Sequence, residues 1–73
     1  MNIHAYGLVC YVSVPVDDAA AKMRLGKFAG ERVLCTVEQI VLNNGLGFSV
    51  YAVKLSGQYA EINRDREALE NLS

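Results

Sequence analysis

Two β-rich runs between Arg32 and Ile62 flank the tripeptide Asn43-Asn44-Gly45. Asn-Gly is the preferred chemistry for a two-residue turn with positive φ at both central positions, so these runs are expected to form a hairpin. With Asn44 and Gly45 in the turn, Val41 faces Phe48, Gln39 faces Val50, Val37 faces Ala52 and Cys35 faces Lys54. That face is mostly apolar. The other carries Leu34, Ile40, Leu42, Tyr51, Val53 and Leu55, interrupted by Arg32, Thr36, Glu38 and Ser49. A sheet with two apolar faces must be covered on both sides, curl toward a barrel, or leave one face for a partner.

Upstream, Ala5 to Val16 is almost free of charge, and Tyr6, Leu8, Cys10, Val12, Val14 and Val16 occupy every second position. This is the pattern of a strand with one buried face. Pro15 cannot donate to a ladder, so the strand is expected to end there or to lie at an edge. Asp17 can cap a following helix, with Asp18 in its first turn, Ala19 to Ala21 as strong helix formers and Gly26 as a left-handed stop. Such a short helix must dock, through Ala20, Met23 and Phe28.

Ser56-Gly57 offers a second tight turn, returning Tyr59 to Asn63 as a strand with Ala60 and Ile62 beside Val53 and Leu55. Asn63 or Asp65 can then cap a last helix with Ala68, Leu69 and Leu72 on one stripe and a frayed end at Ser73. The expected fold is α+β, a β-α-β-β-β-α order with an antiparallel sheet of about four strands. An SH3-like or OB-like small barrel is the alternative.

Seventy-three residues give one small domain with a single core. Apolar residues make up 52% and charged residues 21%, with a net charge of -1, which favours folding over disorder. The longest apolar stretch, around Leu8 to Val16, falls short of the 18 or so residues of a membrane span. It follows no basic segment and runs straight into Asp17 and Asp18, so a cytoplasmic location is expected. Cys10 and Cys35 are too few for a disulfide framework and are expected to be reduced and buried.

The chain is poor in reactive groups. Two separated cysteines and one histidine, His4, do not supply a metal's ligand set. His4 and Cys10 share a strand face, but six residues of strand put them roughly 20 Å apart, too far for a base to activate a thiol. Asp17-Asp18 and Asp65, Glu67 and Glu70 read as helix starts and solvated helix faces. Gly45 and Gly47 lack the third glycine and the following helix of a phosphate loop. No catalytic residue and no cofactor is therefore expected.

Binding residues are easier to find. Lys22, Arg24, Lys27 and Arg32 place four of seven basic side chains within eleven positions, fit for an acidic protein surface or for nucleic-acid phosphates. A dedicated nucleic-acid binder carries a clear positive excess, whereas this chain has a pI of about 5.7, so nucleic acid ranks second as a partner. The tyrosines Tyr6, Tyr11, Tyr51 and Tyr59 fall on expected strands and offer rigid contacts with polar tips. Tyr6, Tyr11 and Tyr51 are the candidates for partner contact, with Val9, Ile40 and Leu55 completing an exposed patch. The first strand can also pair with a partner's strand through its edge.

Taken whole, from Met1-Asn2-Ile3-His4 to Asn71-Leu72-Ser73, the chain resembles the very small phage-encoded inhibitors that bind host bacterial RNA polymerase. The likeness is one of size and composition; those inhibitors share no common fold or signature, so it assigns no residue. It implies a non-enzymatic regulator that occupies a polymerase surface, blocks initiation by interfering with sigma-factor function and also touches termination.

Overall fold

The computed structural model describes residues 6–41 and 45–72. Three strands and two helices follow in the order β1 (Tyr6–Pro15), α1 (Ala19–Gly30), β2 (Cys35–Val41), β3 (Phe48–Gly57) and α2 (Tyr59–Glu70). The sheet has the order β1-β3-β2, with both outer strands antiparallel to β3. β1 and β2 therefore run parallel to each other, with α1 as the crossover between them. The α+β class is as expected. Among the described residues the sheet has three strands, not four, and β1 and β2 are its two edges, so these strands do not close into a barrel.

The even positions of β1 face the helices, as the alternation requires. Val14 is buried, and Leu8, Cys10 and Val12 are half-buried. Their ladder partners on β3 are Ser49, Leu55, Val53 and Tyr51 respectively. Val53 and Leu55 are the most deeply buried large side chains, and they join Val14, Leu25, Phe28 and Leu69 in one cluster. Residues of both helices thus enter the same core, and both helices cover the same face of the sheet.

The hairpin register differs from expectation by one residue. Cys35 pairs with Leu55, Val37 with Val53 and Glu38 with Ala52, not Cys35 with Lys54 and Val37 with Ala52. A one-residue slip turns every side chain of a strand to the other face. This slip brings Cys35 and Val37 to the helices beside Leu55 and Val53 and sends Thr36 and Glu38 outward. Burial of two apolar pairs outweighs the preference for a two-residue turn. Asn43 and Asn44 lie outside the described residues, as do Leu42, His4 and Ser73. Gly45 and Gly47 adopt φ of 93° and 88°, and Leu46 and Gly47 stand outside the ladder, so the connection exceeds two residues. A bulge between Gln39 and Val41 leaves Ile40 as the extra residue and pairs Val41 with Val50.

Helix α1 starts one residue later and runs one turn further than its sequence signals suggest. The backbone N–H of Asp18 donates to the Pro15 carbonyl at 3.0 Å, closing a turn over Val16 and Asp17. Asp18 is then the first acid placed to cap, and the Ala21 N–H donates to its Oδ1 at 2.9 Å. Gly26 has ordinary helical backbone and does not stop the helix. Ala21, Leu25 and Phe28 form the stripe that docks, and burying Phe28 offsets a mid-helix glycine costing about 0.5–1 kcal/mol. Met23, 75% exposed, points away from the core.

Tyr59 to Asn63 is the first part of α2 and not a strand. Gly57, at φ 140°, ends β3, and Ile62 and Leu69, seven residues apart, bury one helical stripe. Ala68 and Leu72 pack beside them, as expected, while Glu67 and Glu70 are exposed.

Candidate interaction surface

Both helices pack on one side of the sheet, and among the described residues no element covers the other. Its residues are the odd positions of β1, the even positions of β3, and Thr36, Glu38 and Val41 of β2. The ladder sets them in rows: Val9, Lys54 and Thr36; Tyr11, Ala52 and Glu38; Ser13, Val50 and Val41. Tyr11 is 69% exposed and Val9 44%. Phe48, Val41 and Val50 are half-buried, and Ala52 is sealed beneath its neighbours. The result is an apolar strip centred on Tyr11 and Val50, with one base, Lys54, and one acid, Glu38, on its margin.

The residues expected in one patch are placed differently: Val9 and Tyr11 lie on this face, and Ile40 stands at the bulge. Val9, Tyr11 and Ile40 are exposed; Leu55 is buried in the core because its odd position on β3 faces the helices. Tyr51 shares that parity. It is half-buried against the core, and with Lys22, Asp18, Gln39 and Ser49 it lines a groove at one end of the sheet. In that groove Gln39 Nε2 donates to Ser49 Oγ at 3.2 Å. Tyr6 lies on the helix-covered side, where its ring meets Tyr59 edge-on with centroids 5.6 Å apart. Tyr6, Tyr11 and Tyr51 therefore form no single platform.

Of the four basic residues, three share a groove and Lys22 stands apart. At 100° per residue, Lys22 and Arg24 project from α1 about 160° apart, so they flank the helix on opposite sides. Arg24 reaches α2, where its Nε donates to the Leu72 carbonyl at 3.3 Å. Arg24, Lys27 and Arg32 line one shallow groove with Phe28, Glu31, Ala68 and Leu72. Arg32 is committed within the fold. Its Nε lies 2.9 Å from Asp65 Oδ1, Nη1 donates to the Phe28 carbonyl at 2.8 Å, and the guanidinium stacks 3.6 Å above the Phe28 ring. Of the four bases, Arg24 and Lys27 alone share a groove without Arg32's internal ion pair.

Among the described residues no group of three or more His, Cys, Asp or Glu side chains gathers as a metal site, and no helix is long and apolar enough to cross a membrane. Cys10 and Cys35 are free thiols, half-buried and not buried outright. Burial pushes the Cys35 thiol above its ordinary value; nearby Arg32 pulls it down and Asp65 pushes it up. No protein-family model, curated protein or solved structure matches the chain.

The alternation in sequence already groups Val41, Phe48, Val50 and Ala52 on one apolar face, and the docking of both helices on the side of Val53 and Leu55 makes it the open one. The bulge at Ile40 keeps Val41 on that face while Cys35 and Val37 turn to the helices. The odd positions of β1 carry the same signal, since Val9 and Tyr11 are apolar on the side opposite the core alternation.

Proposed function

We propose that this chain is a non-catalytic protein-binding regulator that docks through the uncovered face of its sheet. The observation that carries this reading is the strip around Tyr11 and Val50, an apolar surface that neither helix covers. An exposed, rigid tyrosine beside aliphatic neighbours has the make-up of an interface hot spot, and the Lys54 and Glu38 margin supplies a polar rim. The nucleic-acid reading has less support, because Lys22 projects from the other side of α1 and Arg32 is held by Asp65 and Phe28, which leaves Arg24 and Lys27 as the bases of the shared groove without an internal ion pair.

The narrower form of the proposal takes bacterial RNA polymerase as the partner, with inhibition of initiation through sigma-factor function. It rests on the whole-chain resemblance to phage-encoded polymerase inhibitors. Purified polymerase holoenzyme tests it, with promoter-dependent transcription as the readout and Tyr11→Glu as the interface variant. Wild-type chain should bind and inhibit, and the Tyr11→Glu chain, still folded by circular dichroism, should lose at least about tenfold in affinity. Absence of binding to polymerase removes the narrower form. Binding that Tyr11→Glu leaves unchanged removes the open face as the site.

A further inference from the structure

We propose that β1 pairs edge to edge and antiparallel with β1 of a second copy, joining two three-stranded sheets into one of six strands. β1 is an outer strand along its whole length of ten residues. Proteins protect such edges with lysines, bulges, prolines or short length. β1 carries no charged residue, and its pairing with β3 runs without a register shift from Tyr6 to Pro15. Its one guard is Pro15, at the far end. A row of backbone donors and acceptors is matched by another strand, and an antiparallel pair of identical strands satisfies itself about a two-fold axis.

The flank of this edge says which strand fits. α2 runs alongside β1, and a groove of about 490 Å³ lies between them, lined by Cys10, Tyr11, Val12, Ser13, Arg66, Leu69 and Glu70. α2 packs against both β1 and β3, so its axis sits between those strands. With strands about 4.8 Å apart, a two-fold just outside β1 sets the two α2 axes about 10 Å apart, the spacing of packed helices. A second copy thus fits beside the first without collision.

Charge makes the fit reciprocal. On the groove's helical wall Arg66 Nη1 lies 2.8 Å from Glu70 Oε1, one base and one acid a turn apart on an exposed surface. A two-fold near the middle of β1 reverses the second helix, bringing Arg66 of each copy toward Glu70 of the other. Leu69 lies between them on the same wall. A partner segment of single charge would meet one opposite and one like charge here; a second copy meets two opposite ones.

Sedimentation equilibrium from micromolar to millimolar concentration tests the pairing. Wild-type chain should associate to a dimer, and the β1 amides should exchange more slowly as concentration rises. Arg66→Glu places like charges across the axis and should weaken association by at least about tenfold. The swap Arg66→Glu with Glu70→Arg keeps both the internal and the reciprocal pairs and should restore association to within about threefold of wild type. Circular dichroism confirms that each variant is folded. A chain that stays monomeric through the millimolar range overturns the proposal. So does an Arg66→Glu chain that associates as well as wild type, or a dimer whose β1 amides show no concentration dependence.

Discussion

The Arg32 guanidinium lies over the Phe28 ring at 3.6 Å while its Nε stands 2.9 Å from Asp65 Oδ1, tying the end of α1 to α2 through one side chain. Among the described residues the Nε–H has no aligned hydrogen-bond acceptor, so its contact with Asp65 is Coulombic, and the stacked ring and the Phe28 carbonyl fix the guanidinium's plane. Both partners of the ion pair are about a quarter exposed, with side chains at 26% and 24%, which screens the charge attraction.

Arg32→Ala should therefore cost more than loss of the ion pair alone. The stacking contributes about 0.5–2 kcal/mol, the pair up to about 1 kcal/mol, and the bond to the Phe28 carbonyl adds to both. We expect a total destabilisation of about 1–3 kcal/mol in urea unfolding. Asp65→Ala, which leaves the stack in place, should cost about 1 kcal/mol or less. Equal losses for the two variants would show that the ring contact contributes nothing.

Leu55 gives the sharpest check on the register. It is 2% exposed, paired with Leu8 on one side and Cys35 on the other, and packed beneath the helices. Leu55→Ala should cost about 2–5 kcal/mol by lost burial and cavity formation, most of the stability of a domain this small. Lys54→Ala, one residue away on the open face, should stay within about 0.5 kcal/mol of wild type. Urea midpoints of the two variants separate the observed register and facing from one in which Leu55 lies on an exposed patch.

The elements legible in the sequence were those whose apolar period matched a single local rule. β1 was marked by its even positions from Tyr6 to Val14, and α1 by acids at its start and bases toward its end. The hairpin's existence was also legible, since β-rich runs flank a glycine-containing turn. Its register was not, because it is decided by long-range burial: Val37 and Cys35 gain more beside Val53 and Leu55 than a two-residue turn gains by itself. Tyr59 to Asn63 was misread because five residues with Ala60 and Ile62 apolar fit period 2 as well as the start of a helix. The Ile62 to Leu69 spacing resolves that ambiguity only when the whole segment is taken as one element. On the open face, Tyr11 and Val9 are legible in the alternation of β1 and Val50 in that of β3, whereas the side that the helices cover is settled by long-range packing. The basic run divides because two positions along a helix is nearly half a turn around: Lys22 lies on the other side of α1 from Arg24, while Arg24, Lys27 and Arg32 share one groove.

The two glycines Gly26 and Gly57 should respond in opposite directions to alanine. Gly26 sits inside α1 with negative φ, and an added Cβ meets nothing within 4 Å. Gly26→Ala should stabilise by about 0.5–1 kcal/mol, because the unfolded chain loses freedom and the helix gains a better former. Gly57 holds φ at 140° between β3 and α2, and its Cβ would lie 3.4 Å from Glu61 Oε2. Gly57→Ala should destabilise by about 1–3 kcal/mol through backbone strain. Thermal unfolding of both variants checks the pair, and a destabilised Gly26→Ala chain would place the end of α1 at Gly26.

The Cys35 thiol links stability to alkaline pH. Burial raises its pKa above the ordinary 9.0, with Arg32 acting against that rise and Asp65 adding to it. The folded state therefore holds the proton more tightly than the unfolded chain. Its contribution to stability is complete below the ordinary value and is lost as pH rises through the raised folded value. A Cys35→Ala chain should show a flatter stability profile over that alkaline window than wild type, whatever its stability at neutral pH. The two neighbours give the signs an independent check: in a Cys10→Ser background, Asp65→Asn should speed alkylation of Cys35 by iodoacetamide at fixed pH, because it removes a negative charge that disfavours the thiolate. Arg32→Gln removes the positive charge that favours the thiolate, and alkylation should slow provided the loop keeps its place against Phe28. Rates that move the opposite way in both variants would mean that Cys35 lies outside the field of the Arg32 and Asp65 pair.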